Sequence, residues 1–146
     1  MKTILKTLID YSLFEKYEKE YFLNNQILPL YENEISIKIA VCKSSKLENI
    51  KNDFNKLISF VEINEVELLF ILNHLDEKIF LYSLGIKSLS QNSFEKYIDK
   101  FFNELLLFSI KLRSSDIHIE QFKEVVLFKF RIDGRLKTFF TFKKEF

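Results

Sequence analysis

The chain is poor in the residues that punctuate and crosslink a fold: its 146 residues include two glycines, one proline, one cysteine and no tryptophan. A single cysteine, Cys42, cannot close an internal disulfide. Two glycines leave no room for a Gly-x-x-x-x-Gly-Lys-Ser/Thr loop, and the sequence contains none, so these residues do not cradle a triphosphate by that mechanism. No secretory leader is recognisable, and no apolar run reaches the about 18 residues of a membrane-spanning helix. The expectation is a cytoplasmic chain without direct membrane insertion. An excess of one charge is missing too. Twenty-two basic against 21 acidic residues give a net charge of +1, which disfavours nucleic acid or anionic lipid as a partner gathered by a global field.

Apolar residues are plentiful. At 47% hydrophobic content the chain can bury a core, as one domain or two small ones, and disorder is excluded. Its 17 phenylalanines and 6 tyrosines, with much Lys, Ile and Asn, read as a compositional bias rather than a binding signature. Where Gly and Pro are scarce, the positions of Pro29, Gly85 and Gly134 are informative.

Apolar residues at helical spacing from Ile4 to Tyr21 predict an amphipathic helix over 3–21, packed on its own domain. Residues 26–31 read as a strand in which Pro29 belongs at an edge or an end. Glu32-Asn33-Glu34 makes a turn, and Ile35, Ile37, Ile39 and Val41 alternate with smaller or polar residues as a half-buried strand. Ser44 or Ser45 is placed to cap a helix over 46–57, residues 58–63 read as a third strand, and Asn64 caps a helix ending near His74. This order predicts a small α+β domain. Cys42 and His74 are too isolated for a metal site, which needs three or four converging ligands.

A short helix over 76–84 with Gly85 as its stop would complete an N-terminal domain of residues 1–85. Residues 86–92 read as a linker. Ser93 then caps a helix running to about 112. Its apolar band, Phe94, Ile98, Phe101, Phe102, Leu105, Leu106, Phe108, Ser109 and Leu112, reads as core rather than as a cofactor slot. There is no internal repeat or low-complexity tract.

The densest signal lies beyond that helix. In the strand Asp116–Glu120, Ile117 and Ile119 point one way and Asp116, His118 and Glu120 the other. An Asp-x-His-x-Glu row invites a metal or acid-base reading, but alternate side chains on one strand are about 7 Å apart and do not share an ion without a second element. A structural hydrogen-bonding row and a contact to a larger active site both remain open. Residues 125–132 form the next strand, and Asp133-Gly134 is the pair a two-residue hairpin prefers, because both central positions need positive φ. That turn sets Ile132 opposite Arg135, Arg131 opposite Leu136, Phe130 opposite Lys137, Lys129 opposite Thr138 and Phe128 opposite Phe139. Val126, Phe128, Phe130, Ile132 and Phe139 collect on one face; Lys129, Arg131 and Thr138 share the other. Two cations on alternate positions repel unless solvated or satisfied by an anion, so this face is either a solvated edge or a phosphate site in which Arg131 supplies the preferred planar fork.

The run Ser-Ser-Asp-Ile-His-Ile-Glu-Gln at 114–121, followed by Phe-Lys-Phe-Arg-Ile-Asp-Gly-Arg-Leu at 128–136, resembles the entry into the conserved core of type II secretion and type IV pilus assembly ATPases. That family shows Ala-Ser-Asp-Ile-His-Ile-Glu-Pro, a short gap and a strand of the form Arg-x-Arg-x-Asp-Gly-x-Leu, all preceded by an amphipathic helix. Ser115, Asp116, Ile117, His118, Ile119, Glu120, Arg131, Asp133, Gly134 and Leu136 match. Ser114 stands for the alanine, Gln121 for the proline and Lys129 for the first arginine. The first 85 residues resemble the family's N-terminal docking domain more loosely, through Ile27-Leu28-Pro29-Leu30 and the order of elements.

The resemblance implies a docking domain followed by a helix and the first antiparallel strands of a PAS-like domain over 93–146, truncated before an ATPase motor beyond Phe146. It implies that Arg131 and Lys129 approach nucleotide phosphates in the full-length parent, with Ser115, Asp116, His118, Glu120, Asp133 and Gly134 as structural motif residues. ATP and Mg would belong to that parent, a homohexamer. This chain itself would hold no catalytic residue, metal or cofactor. The implied partner is the cytoplasmic domain of an inner-membrane platform protein, with the chain peripheral at that membrane. The alternative is a stand-alone adaptor or regulatory module of the same fold that makes only protein contacts. A nucleic-acid role rests on Lys129, Arg131, Arg135 and Lys137 alone, which split between the two hairpin faces. Phe139, Phe140, Phe142 and Phe146 near a free sheet edge predict pairing between chains.

Overall fold

A computed structural model describes residues 8–48, 50–89 and 94–143. The fold is α+β, with two three-stranded sheets, and the chain divides into two units, Met1–Leu75 and Asp76–Phe146.

The first unit holds α1 (Leu13–Lys16), α2 (Lys19–Asn25), β1 (Leu28–Glu32), β2 (Ser36–Val41), α3 (Ile50–Asp53), β3 (Leu57–Glu62) and α4 (Glu65–Asn73). Its sheet runs β1-β2-β3, with β1 antiparallel and β3 parallel to the central β2. Pro29 lies on the edge strand β1, where a missing N–H costs least. The β1–β2 turn is closed by Asn33, whose Oδ1 accepts from the N–H groups of Ile35 at 2.9 Å and Ser36 at 2.7 Å. The expected buried face of β2 holds for Ile37, Ile39 and Val41, which join Phe22, Ile27, Ile50 and Phe54 in one core, but Ile35 lies outside the strand and is exposed, and Ala40 and Cys42 of the other face are buried as well.

Two helices depart from the expected boundaries. Within the described part of 3–21, residues 8–12 are not helical, and two short helices follow in place of one, separated where Tyr17 and Glu18 are extended. This break lets the Tyr17 and Tyr21 rings pack edge-on against Phe54, at 5.2 and 5.6 Å. It also brings the Tyr17 hydroxyl onto Glu32. Residues 1–7 lie outside the described residues. The helix expected over 46–57 shrinks to four residues, Ile50–Asp53. Ser45 is no cap, since its Oγ accepts from Cys42 N–H at 2.8 Å and donates to the Gln26 carbonyl at 2.6 Å. Asn64 does cap α4, accepting from Val66 N–H at 2.9 Å, and His74 ends that helix.

The second unit comprises α5 (Leu75–Ser88), α6 (Phe94–Lys111), β4 (Ile117–Gln121), β5 (Val125–Ile132) and β6 (Arg135–Lys143), the strands forming an antiparallel meander. The expected stop at Gly85 is corrected. Gly85 lies inside α5, and residues 86–88 of the expected linker are helical. A glycine is needed there for space, because a Cβ would run into the Phe142 ring. Residues 90–93, including the expected cap Ser93, lie outside the described residues.

The apolar band of α6 is buried over a narrower stripe than expected. Phe101, Leu105 and Ser109 face the sheet, while Phe102 and Leu106 are exposed. Phe101 packs against Phe128 at 5.4 Å. Asp133 and Gly134 both take positive φ, 50° and 73°, so the β5–β6 turn is of the expected type. The first four cross-strand pairs stand in the expected register, but Phe128 faces Phe140, not Phe139. A β-bulge inserts Phe139 as an extra residue in β6, breaking the period-2 rule at that point. Phe139 and Phe140 are consequently both buried. On β5 the face carrying Lys129 and Arg131 is polar only toward the turn, since Leu127 and Val125 further along it are buried.

Candidate functional site

The strands β4 and β5 bring the two polar rows of the sequence together. The connection between them is tight, with Phe122 N–H donating to the Val125 carbonyl at 2.8 Å. This sets Gln121 opposite Val126, and the count back along both strands puts His118 opposite Lys129 and Ile117 opposite Phe130. One step further, backbone bonds from Arg131 N–H to the Asp116 carbonyl, 3.1 Å, and from Ser115 N–H to the Arg131 carbonyl, 3.0 Å, extend the ladder. Asp116, His118, Glu120, Lys129 and Arg131 therefore share one face of a two-stranded platform.

Each cation on that face is held by a carboxylate from the neighbouring strand. Arg131 Nε donates to Asp116, 3.0 Å from Oδ2 and 3.3 Å from Oδ1. Lys129 Nζ donates to Glu120 Oε2 at 2.6 Å. The expected repulsion between Lys129 and Arg131 is thus met by anions inside the ribbon itself. Asp116 also accepts from the Ser115 hydroxyl at 2.6 Å and bonds to His118 Nε2. An ionised carboxylate only accepts, so Nε2 of His118 carries the hydrogen in that contact. The Arg131 Nη2 group, 3.4 Å from the same nitrogen, then meets an N–H rather than a lone pair and gains no bond from it. The Ser115 hydroxyl most of all, then His118 and Arg131, hold the Asp116 carboxyl below its ordinary range against the opposing effect of desolvation.

The face is open to solvent. Side chains of Asp116, His118, Glu120 and Arg131 are between 37% and 41% exposed, whereas Lys129 is 16% exposed. Solvent screens ion pairs at this exposure. They hold side chains in place without adding much to stability, and an anion of higher charge can compete for the same donors.

No protein-family model matches this chain, and no curated protein matches it.

The motif residues fall as follows. Ser115 and Asp116 immediately precede β4, His118 and Glu120 lie within it, Lys129 and Arg131 lie on β5, and Asp133 and Gly134 make the β5–β6 turn. Asp116 and His118 touch despite being two apart on the chain, because the imidazole leans along the strand. Among the described residues no group of three His, Cys, Asp or Glu could hold a metal ion. Cys42 is buried beside the Ser44 hydroxyl at 3.2 Å, and His74 packs edge-on against Phe70 at 5.0 Å. Among the described residues no helix is long and apolar enough to cross a membrane.

Sequence reasoning treated the acidic row and the basic row separately and missed that they face each other. The signal was present in the four residues Phe122–Val125. A tight turn there sets the register and, with it, the pairing of Asp116 with Arg131.

Proposed function

We propose that this chain is the N-terminal, partner-docking region of a secretion or pilus assembly ATPase, which couples ATP hydrolysis to pilus or pseudopilus assembly at the inner membrane. The observation that carries this reading is the joint placement of its two matched runs. Ser115–Glu120 and Arg131–Leu136 lie side by side on β4 and β5–β6, with Asp133-Gly134 at the turn and α6 leading into them. In this reading α6 and β4–β6 open a PAS-like domain, the first unit docks the cytoplasmic part of a membrane platform, and the chain is cytoplasmic and peripheral. Arg131, with Lys129 beside it, contacts nucleotide phosphates. ATP, Mg and hydrolysis belong to a motor domain and to a hexameric parent.

A second reading, a stand-alone adaptor that makes only protein contacts, is favoured by one observation. Both cations of the face are already paired with carboxylates.

Reading the coding frame past Phe146 separates the two. An in-frame Gly-x-x-x-x-Gly-Lys-Ser/Thr loop supports the ATPase reading and a stop codon the adaptor. Where the frame continues, the extended protein is expected to hydrolyse ATP and to lose at least ten-fold in rate on Arg131→Ala. An unchanged rate removes Arg131 from the mechanism.

A further inference from the structure

We propose that Asp116 and Glu120 are built-in counter-anions that occupy Arg131 and Lys129 until a polyphosphate group displaces them, so that the face selects phosphate chains over singly charged anions. The proposal rests on the phosphate-contact reading above and assigns the two carboxylates a role of their own.

The argument starts from charge. Two carboxylates and two fixed cations on one platform cancel, and the pairs cross from β4 to β5 in both cases. An anion approaching the face meets no net attraction from these four groups. To be held by these cations against the charge of the carboxylates, it has to displace a carboxylate that is tethered to the neighbouring strand and therefore present at high effective concentration. A chloride or a carboxylate ligand carries no more charge than the group it would displace and has no means of winning. A phosphate chain carries several charges and can bridge neighbouring cations at once, and a guanidinium is shaped for its oxygens.

The Arg131 geometry leaves room for such an exchange. Its bond to Asp116 runs through Nε alone, at 3.0 and 3.3 Å to the two carboxylate oxygens. The Nη2 group meets only the His118 nitrogen that already donates to Asp116. The usual two-pronged clamp on a carboxylate, one oxygen on Nε and one on Nη, is not made, and the side chain is 37% exposed. The outer edge of the guanidinium thus offers unused donors to a second anion while Asp116 sits on the inner one. Once a phosphate engages that edge, Asp116 becomes a like charge beside it. The carboxylate must then turn away, toward Ser115 and His118, which already bind it. Glu120 has no such second support among its contacts and holds Lys129 alone, at 2.6 Å.

The test is a titration of the chain with inorganic tripolyphosphate, followed by calorimetry and by the Arg131 Nε resonance in ¹⁵N spectra. Wild type is compared with Asp116→Asn, Glu120→Gln, the double variant and Arg131→Ala. The amide isosteres keep the size and the backbone ladder, and amide spectra verify the fold. Should Asp116→Asn not fold, Glu120→Gln alone still reads the same exchange at Lys129. The expected result is that the double variant binds tripolyphosphate at least ten-fold tighter than wild type and begins to bind acetate. That gain should vanish when Arg131→Ala is added. Equal affinity in wild type and variants, with loss on Arg131→Ala, would overturn the exchange while leaving the phosphate reading intact. No binding by any of the proteins would overturn both.

Discussion

The Phe139 ring lies flat on Phe130, with centroids 4.4 Å apart and planes 15° apart. Alternation from Lys137, which stands opposite Phe130, already puts Phe139 on that side, and the β-bulge brings Phe140 to the same side. Both are buried, 2% and 1% exposed. Phe139→Ala is expected to cost about 3–5 kcal/mol, the range for emptying a buried aromatic site. Phe142→Ala, on the half-buried end of the same strand, should cost clearly less. Urea unfolding of the two variants checks the order; equal losses would mean that the bulge stack carries no special weight.

Gly85 offers a second test, because two rules of opposite sign meet there. Alanine inside a helix is ordinarily better than glycine by about 1 kcal/mol. At this position the added methyl would run into the Phe142 ring. Gly85→Ala should therefore destabilise the second unit by about 1–3 kcal/mol, the usual range for overpacking. Adding Phe142→Leu should recover part of that loss, so the pair is expected to be non-additive in a double-mutant cycle. A Gly85→Ala protein as stable as wild type would show that the ring moves aside without cost.

Lys78 makes the fold sensitive to pH. Its side chain is fully buried, its ammonium lies 3.9 Å from the centre of the Phe139 ring, and Nζ donates to the Phe139 carbonyl. Burial lowers its pKa from 10.5 to about 7, with Glu77 opposing. Between those values the unfolded chain binds more protons at this site than the folded one, so stability contributed by this group rises as pH increases from about 7 toward 10.5. Urea midpoints measured from pH 7 to 10 are expected to climb, and Lys78→Met should remove at least half of that climb. An identical slope in the variant would assign the effect to other groups.

Much of the chain was legible because the deciding interactions are local. Asn64 caps α4 through bonds to the N–H groups two and three residues on. The β5 boundaries follow from alternation and from a turn pair suited to the positive φ that a two-residue hairpin requires. The α6 stripe follows from spacing along one helix, although which part of it is covered does not: Phe102 and Leu106 satisfy the same spacing and remain exposed. The first helix failed for the opposite reason. Its spacing predicts one continuous helix, yet residues 8–12 are not helical, and Glu32 and Phe54, both remote in sequence, hold Tyr17 in an extended conformation.

By itself the sequence determined the α+β class, the hairpin at Asp133-Gly134 and the two polar rows, because each depends on residues within a few positions of one another. The tertiary structure alone decided three things. It made Gly85 a helix-interior position facing Phe142, it put Phe139 and Phe140 on the same side of β6, and it set Asp116 against Arg131 and Glu120 against Lys129. Each of these is a contact between segments whose approach no local propensity encodes, and packing of the whole sheet settles the choice.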